Sequence, residues 1–286
     1  MNPQPLRGVL YGHGHMGRLH ASKLASRTDI GLDIIDPGQG LTPHISNTPD
    51  FAVIATPTTT HGDLALPLLE KGVPCLVEKP LSSSLDEAEH LAAFSNLFVG
   101  HIERFNPVFD AVQGVQPGFV DIERLAPPSS RSSDVDVIDD LMIHDLDLLL
   151  NRFPGTIREV RATGIGVLTT QPDIVNARIE LDTRSGQRIT INITASRVSE
   201  KQVRTWRMIE NQSYWRLDLR NRSARQVDWS DGNPNARTVA VPSWDPLTRE
   251  HTAFFDAVRG NSNFIARGTD AVAALRLGDR IRSCLR

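Results

Sequence analysis

The chain has almost nothing from which to build a covalent framework: two cysteines, Cys75 and Cys284, in 286 residues. Two thiols cannot brace a fold of this length, and such sparse use fits a reducing compartment. A basic field is missing as well. Lys and Arg number 31 against 34 Asp and Glu, a formal net charge of −3, so no positive surplus draws in nucleic acid or an anionic membrane. No window approaches the ~20 apolar residues of a bilayer span. The opening Met1-Asn2-Pro3-Gln4-Pro5 has neither the charged nor the apolar part of a secretion signal. These absences predict a cytoplasmic protein with no nucleic-acid or membrane partner.

What is present is an ordinary globule, 40% hydrophobic and 23% charged, long enough for two domains because one core rarely grows past roughly 250–300 residues. Residues 7–107 alternate short apolar runs (8–11, 34–35, 51–55, 75–77, 97–99) with helix-like stretches (19–25, 62–71, 84–94). That is the pattern of a parallel sheet covered by helices. One unit is short. Only 13 residues separate Asp36 from Asp50, and Pro37, Gly38, Gly40 and Pro43 are among them, so a loop replaces the usual helix and strand.

Beyond residue 107 the pattern changes. Segments 158–163, 177–182, 188–193 and 204–209 alternate polar and apolar residues, with Ser185-Gly186 as a hairpin turn. They predict a large antiparallel sheet with one wet face. Helices are expected over 247–259 and 269–285, and a loop over 127–133. The fold class is therefore α/β: a doubly wound parallel sheet, shortened after its second strand, plus an α+β domain with an open antiparallel sheet. The boundaries are 1–107 for dinucleotide binding and 108–286 for substrate binding and oligomer contacts, with the last helix free to pack back on the first domain.

The densest motif is Gly12-His13-Gly14-His15-Met16-Gly17, set between a strand-like and a helix-like run. Such a turn, with Gly12, Gly14, His15, Met16 and Gly17 at the cofactor, lets the backbone approach a pyrophosphate, whose charge is held by free N–H groups at the helix start. Asp36 follows Gly17 by 19 residues, where a carboxylate binds the ribose 2′-hydroxyl of NAD and repels the extra phosphate of NADP. NAD is thus expected in preference to NADP. The alternative is a tight strand-to-helix turn that binds nothing.

Other candidates sit after predicted strands, where an open parallel sheet has its crevice. Glu78-Lys79-Pro80 would put an ammonium beside a nicotinamide, or else a solvated loop lysine. Thr56, Pro57, Thr58 and His61 follow another strand and either touch the cofactor or start a helix. Arg104 suits an anionic group or an internal salt bridge, and Asn106-Pro107 reads as a helix start. In the second half, Asp140 and His144 are four apart and share a helical face, with Asp147 a turn further. A histidine beside carboxylates can take a proton from an alcohol; stabilisation of the helix is the other reading. No third ligand of matching spacing makes this a metal site, so no metal is expected.

The ordered set of Gly12–Gly17, Thr56-Pro57-Thr58, Glu78-Lys79-Pro80 and Asp140-x-x-x-His144 resembles the Gfo/Idh/MocA family of NAD(P)-dependent sugar and inositol dehydrogenases, over nearly the whole chain. The resemblance implies that Lys79 and His144 are the catalytic pair, and that Asp140 contacts the substrate together with Arg104 and Asn106. It places Thr56, Pro57, Thr58, His61 and Glu78 at the cofactor. Stretches 99–107, 134–145 and 195–204 are similar to the branch that oxidises UDP-N-acetylglucosamine at its 3-position. That likeness implies a UDP-sugar substrate, and the exposed strands of the second half are expected to supply the sugar-binding wall and the interface of a homo-oligomer, dimer or tetramer. A free sugar or inositol is the alternative substrate, and a catalytically silent nucleotide-binding protein is the alternative from another class. Three features depart from the family: the shortened stretch after Asp36, the histidines His13 and His15 in the phosphate turn, and Asp134 and Asp136 where Gly-Gly is common.

Overall fold

The computed structural model describes residues 5–43, 47–129, 135–261 and 264–285. They group into two compact units: residues 1–105 with 245–273, and residues 106–244 with 274–286.

The first unit is built on five parallel strands in the order β2-β1-β3-β4-β5. These are β1 (Leu6–Tyr11), β2 (Ile30–Ile35), β3 (Phe51–Ile54), β4 (Cys75–Glu78) and β5 (Leu97–Gly100). Strands β3, β4 and β5 are buried at every position, which is why they read as unbroken apolar runs rather than alternating ones. Helices α1 (His15–Ala25), α2 (His61–Leu69) and α3 (Leu85–Ala92) cross between strands. Ser84 caps α3 by accepting from the Glu87 N–H, with Asp86 and Glu87 in the first turn, so that start is encoded locally. The short stretch behaves as expected. Among the described residues of 37–50 there is a 3-10 turn, Pro37–Gln39, and a single bridge between Asp36 and Leu41. Strand β2 is left as a sheet edge.

The expected boundary at 107 puts residues 108–286 in a second domain, with only the last helix free to pack back on the first. Helix α5 (Pro246–Val258) belongs instead to the first unit. Its apolar face explains why. Phe254 and Phe255 are fully buried and meet Phe51 edge-on, with ring centroids 6.0 and 4.9 Å away, while Phe254 also meets Phe98 at 5.4 Å. An aromatic cluster from distant parts of the chain closes this core, and no local pattern announces it.

The second unit is an eight-stranded sheet in the order β13-β12-β11-β10-β6-β9-β8-β7. The strands are β6 (Phe119–Leu125), β7 (Gly155–Ile165), β8 (Ile174–Thr183), β9 (Arg188–Ser196), β10 (Val203–Glu210), β11 (Ser213–Asp218), β12 (Ser223–Asp228) and β13 (Asn235–Val239). It is antiparallel except where β6 runs parallel to β9. Burial alternates along β6 and β8, giving one packed and one wet face. Helix α4 (Ile143–Arg152) lies in this unit, and α6 (Gly268–Ser283) ends the described fold. Part of the loop expected over 127–133, together with Asp134, lies outside the described residues. Cys75 and Cys284 are free thiols, and burial pushes that of Cys75 up to about 12.

Truncating Phe254, which is 0% exposed, is expected to cost about 3–5 kcal/mol of stability. Urea unfolding of Phe254→Ala checks this; a loss below ~1 kcal/mol would show that the aromatic cluster is not central to this core.

Candidate functional site

In the first unit, strand order reverses between β1 and β3, with β2 on one side and β4 on the other. A parallel sheet opens its crevice at the carboxyl ends beside such a reversal. The turn after β1 is closed on itself. Gly12 has φ +87°, and a side chain there would start 2.6 Å from the Ala55 carbonyl oxygen; one at Gly17 would start 2.0 Å from the Gly12 carbonyl oxygen. Both positions accept only glycine. Gly14 is different: nothing lies within 4 Å of where its Cβ would be, so the backbone there faces open space.

Helix α1 begins at Gly14 with no side chain capping it and no acid in its first turn. Its first intrahelical bond runs from the Arg18 N–H to the Gly14 carbonyl at 3.0 Å, so those of His15, Met16 and Gly17 have no partner inside the helix. By contrast α3 and α5 carry Ser84 and Asp245 as caps. An uncapped start beside an open glycine suits a bound anion, and this is the observation by which the residues fit a dinucleotide pyrophosphate. The Asp36 carboxylate completes the rim. Its Oδ2 accepts from the His13 N–H at 2.7 Å and from Gln39 Nε2 at 3.0 Å, which braces it against the glycine turn.

His61 joins the next two strand ends. Its Nδ1 lies 3.0 Å from the Pro80 carbonyl oxygen and its Nε2 3.0 Å from that of Thr56. The ring is buried, so His61 holds the Thr56 and Pro80 backbones at a fixed separation. The threonines do not cap α2: Thr60 donates to the Thr56 hydroxyl at 2.8 Å, and α2 starts without a side-chain cap. Thr58 opens a 3-10 turn just after Pro57.

Glu78 ends β4, immediately before Lys79. It is 8% exposed, and its Oε1 lies 2.8 Å from His20 Nε2; His20 Nδ1 in turn lies 2.8 Å from His251 Nε2. Glu250, beside His251 on α5, is 0% exposed and neither of its carboxyl oxygens has a partner. Burial and then the nearby Glu78 charge push the Glu250 carboxyl well above its usual range. Burial and then His20 pull the His251 imidazole down to about 3. The sequence reading missed His20, His251 and Glu250, because three helical positions with no motif around them carry no local signal.

In the second unit, the His144 segment does not begin as a regular α-helix. Ile138–Met142 forms a π turn that leads into α4, so Asp140 and His144 straddle the junction of two helix types. Such turns widen the spacing between residues that an α-helix would stack, and they often occur at functional positions. Asp136 starts this turn: its Oδ1 accepts from the Ile138 and Asp139 N–H groups at 3.0 and 3.1 Å. Arg282 of α6 pairs with Asp136 and Asp139, at 2.8 Å each. Asp136, a departure from the family pattern, thus anchors the histidine segment. Asp145 anchors it from below, accepting from Arg124 Nε at 2.5 Å, Arg124 Nη2 at 3.0 Å and Trp206 Nε1 at 2.9 Å. All three side chains are buried. Asp147 is also buried, so only Asp140 and His144 of the predicted cluster reach intermediate exposure.

Two predicted substrate contacts have work within their own units. Arg104 reaches Asp270 at 3.4 Å. Asn106 caps the 3-10 helix Pro107–Val112 through the Val108 N–H and donates to the Leu219 carbonyl at 2.9 Å. No group of three or more His, Cys, Asp or Glu suited to a metal ion occurs among the described residues.

Residues 41–96 match the profile of the oxidoreductase family with an NAD-binding Rossmann fold. The chain is 29% identical to UDP-N-acetylglucosamine 3-dehydrogenase of Acidithiobacillus ferrooxidans, over 97% of this chain and 96% of the relative. A solved structure of that enzyme superposes with a TM-score of 0.87 at 28% identity, covering 99% and 98% of the two chains. The NAD(+)-dependent scyllo-inositol 2-dehydrogenase of Bacillus subtilis is 30% identical over 40% of this chain and 38% of its own length.

A raised carboxyl is stable while neutral, so the fold carries its full share from Glu250 below the unfolded value of 4.5 and loses it as pH rises through the higher folded value. Glutamine stays neutral throughout. Glu250→Gln is therefore expected to gain on the parent by up to about 1.4 kcal/mol per pH unit over that window. Urea midpoints compared at about pH 4 and about pH 8 test this; a difference that does not vary with pH refutes a neutral Glu250.

Proposed function

We propose that the chain, which resembles the Gfo/Idh/MocA oxidoreductases, oxidises a secondary alcohol of a nucleotide-linked sugar, with UDP-N-acetylglucosamine at its 3-position as substrate and NAD as cofactor. The full-length likeness to the Acidithiobacillus enzyme carries this reading, because it extends through the second unit as well as the dinucleotide fold. The glycine turn, with its uncapped helix start, supports it independently of any relative.

Gly14, His15, Met16 and Gly17 hold the pyrophosphate through backbone N–H groups, and Asp36 takes the ribose hydroxyl while repelling a 2′-phosphate. Gly12, whose own N–H donates to the Ile35 carbonyl at 2.8 Å, shapes the turn beside them. Thr56, Pro57 and Thr58 line the cofactor side, with His61 and Glu78 bracing the strand ends behind it. Bound NAD supplies the two-electron acceptor. His144 accepts the hydroxyl proton, and Lys79 stabilises the negative charge developing on that oxygen or relays the proton. Asp140 holds a substrate hydroxyl, with Arg104 and Asn106 supporting the substrate side. The inositol dehydrogenases among the relatives favour one second reading, oxidation of a free sugar or inositol. A silent nucleotide-binding protein would need neither Lys79 nor His144. We place the protein in the cytoplasm as a homo-oligomer. Its two free thiols support the compartment, and the exposed Ile165, Val167 and Leu168 support self-association.

Purified protein with NAD and a panel of UDP-sugars, free sugars and inositols is expected to form reduced nicotinamide only with a UDP-sugar. Turnover with inositol alone favours the second reading. Lys79→Met is expected to lower turnover by about 10²–10⁴-fold with NAD affinity retained; near-parental turnover removes Lys79 from the chemistry. Asp36→Ala loses a charge-assisted hydrogen bond worth about 1.5–3 kcal/mol, so the NAD-over-NADP preference should shrink at least roughly tenfold. An unchanged cofactor ratio would take Asp36 off the ribose.

A further inference from the structure

Behind the strand end that carries Lys79 runs a row of buried polar groups that no step of the reaction requires. It starts on α5 at His251, passes through His20 on α1 and ends on Glu78 of β4, with both links 2.8 Å long. The two imidazole rings sit with centroids 5.0 Å apart. With the Glu78 carboxylate as acceptor and His20 as the neutral Nε2–H tautomer, the Nε2–H of His20 donates to Glu78 and His20 Nδ1 accepts from the Nε2–H of His251. The donation therefore points one way, toward the residue before Lys79.

Stability alone is a poor reason for this row. His251 Nδ1 and both oxygens of Glu250 are buried without hydrogen-bond partners, and every such orphan is costly. Apolar side chains of similar volume often serve a core as well as buried polar groups or better. Glu250 has a clearer part to play. Burial and then the nearby Glu78 charge both disfavour an ionised Glu250, so Glu250 favours its neutral form and adds no second charge beside Glu78. Glu78 is the acceptor at which the row is aimed.

We propose that His20 and His251 are positioning residues: their hydrogen bonds pin the Glu78 carboxylate, and with it the backbone at Lys79, so that the lysine is held where the reaction uses it. This rests on the reading of Lys79 as catalytic. The charges that act on His251 are those of His20 and Lys23 on α1, of Arg27 just beyond its end, and of Asp245 at the start of α5. Across the row, Glu250 faces Glu78.

The test uses the full chain with three substitutions at one position. His251→Phe and His251→Leu remove the donor; His251→Gln keeps one. The donor-less variants are expected to lower kcat by about 10- to 100-fold, the scale of a small misplacement, and to displace the pH profile of kcat. KM for the sugar nucleotide and the affinity for NAD should stay within about twofold, and His251→Gln should recover most of the loss. The leucine variant serves if the phenylalanine one does not fold. A second readout needs no substrate: the pH at which Lys79 is half-labelled by a small amine-directed reagent, followed by peptide mass spectrometry, should move in the donor-less variants and return in His251→Gln. Parental kcat, pH profile and labelling in the donor-less variants, while Lys79→Met is inactive, overturns the positioning role and leaves the proposed function standing. A displaced labelling midpoint in an enzyme whose Lys79→Met form still turns over supports the positioning of Lys79 and overturns its catalytic assignment. A kcat loss that His251→Gln does not recover also overturns the proposal.

Discussion

The hydrogen bond between His20 and Glu78 ties the helix that begins at the glycine turn to the strand that ends just before Lys79. Much of the first unit can be understood as the means of making that bond. Parallel strands bring the ends of β1, β3 and β4 to one edge of the sheet. Helix α1 starts at Gly14 without a side-chain cap, and His20 further along it is fixed inside the core. Strand β4 must end in a charged residue to carry the Glu-Lys-Pro segment. Its carboxylate is tolerated in a dry setting because a ring nitrogen donates to it.

A comparable logic governs the second unit. The π turn before α4 departs from regular helix geometry, and distortions of that kind persist only where surrounding structure imposes them. Here Asp136 and Arg282 hold the entrance, and the buried Arg124–Asp145 pair with Trp206 holds the first turn of α4. Such a pair adds little net stability once desolvation is counted, yet losing one partner strands a buried charge. What it adds is placement: the residue before Asp145 is His144. In both units a buried carboxylate adjoins the residue assigned to proton chemistry, and in both it is pinned by donors from other elements.

Features with a local cause were legible in the chain. Strands β3, β4 and β5 announce themselves as apolar runs because both faces are covered, and β8 and β9 as alternating ones because one face is wet. The missing mononucleotide unit follows from too few residues between Asp36 and Asp50, whatever the fold does elsewhere. Gly12 and Gly17 are forced by backbone approaches that leave no room for a Cβ. Asp136 was visible only as a deviation, and its role as an anchor needed Arg282, 146 residues away. Helix α5 carried amphipathic periodicity, but the partner for its aromatic face was Phe51, two hundred positions earlier, so its unit could not be read from order along the chain.

By itself, then, the amino-acid order determined the two sheet types, the trimmed dinucleotide half, the glycine turn and the candidates Lys79 and His144, since each depends on residue type, spacing or periodicity within a short window. Tertiary structure alone decided which backbone and side-chain partners His61, Arg104 and Asn106 meet, and which buried partners set the candidates in place. Burial and hydrogen-bond geometry are properties of side chains that meet across the core, and no short window of sequence contains both members of such a pair.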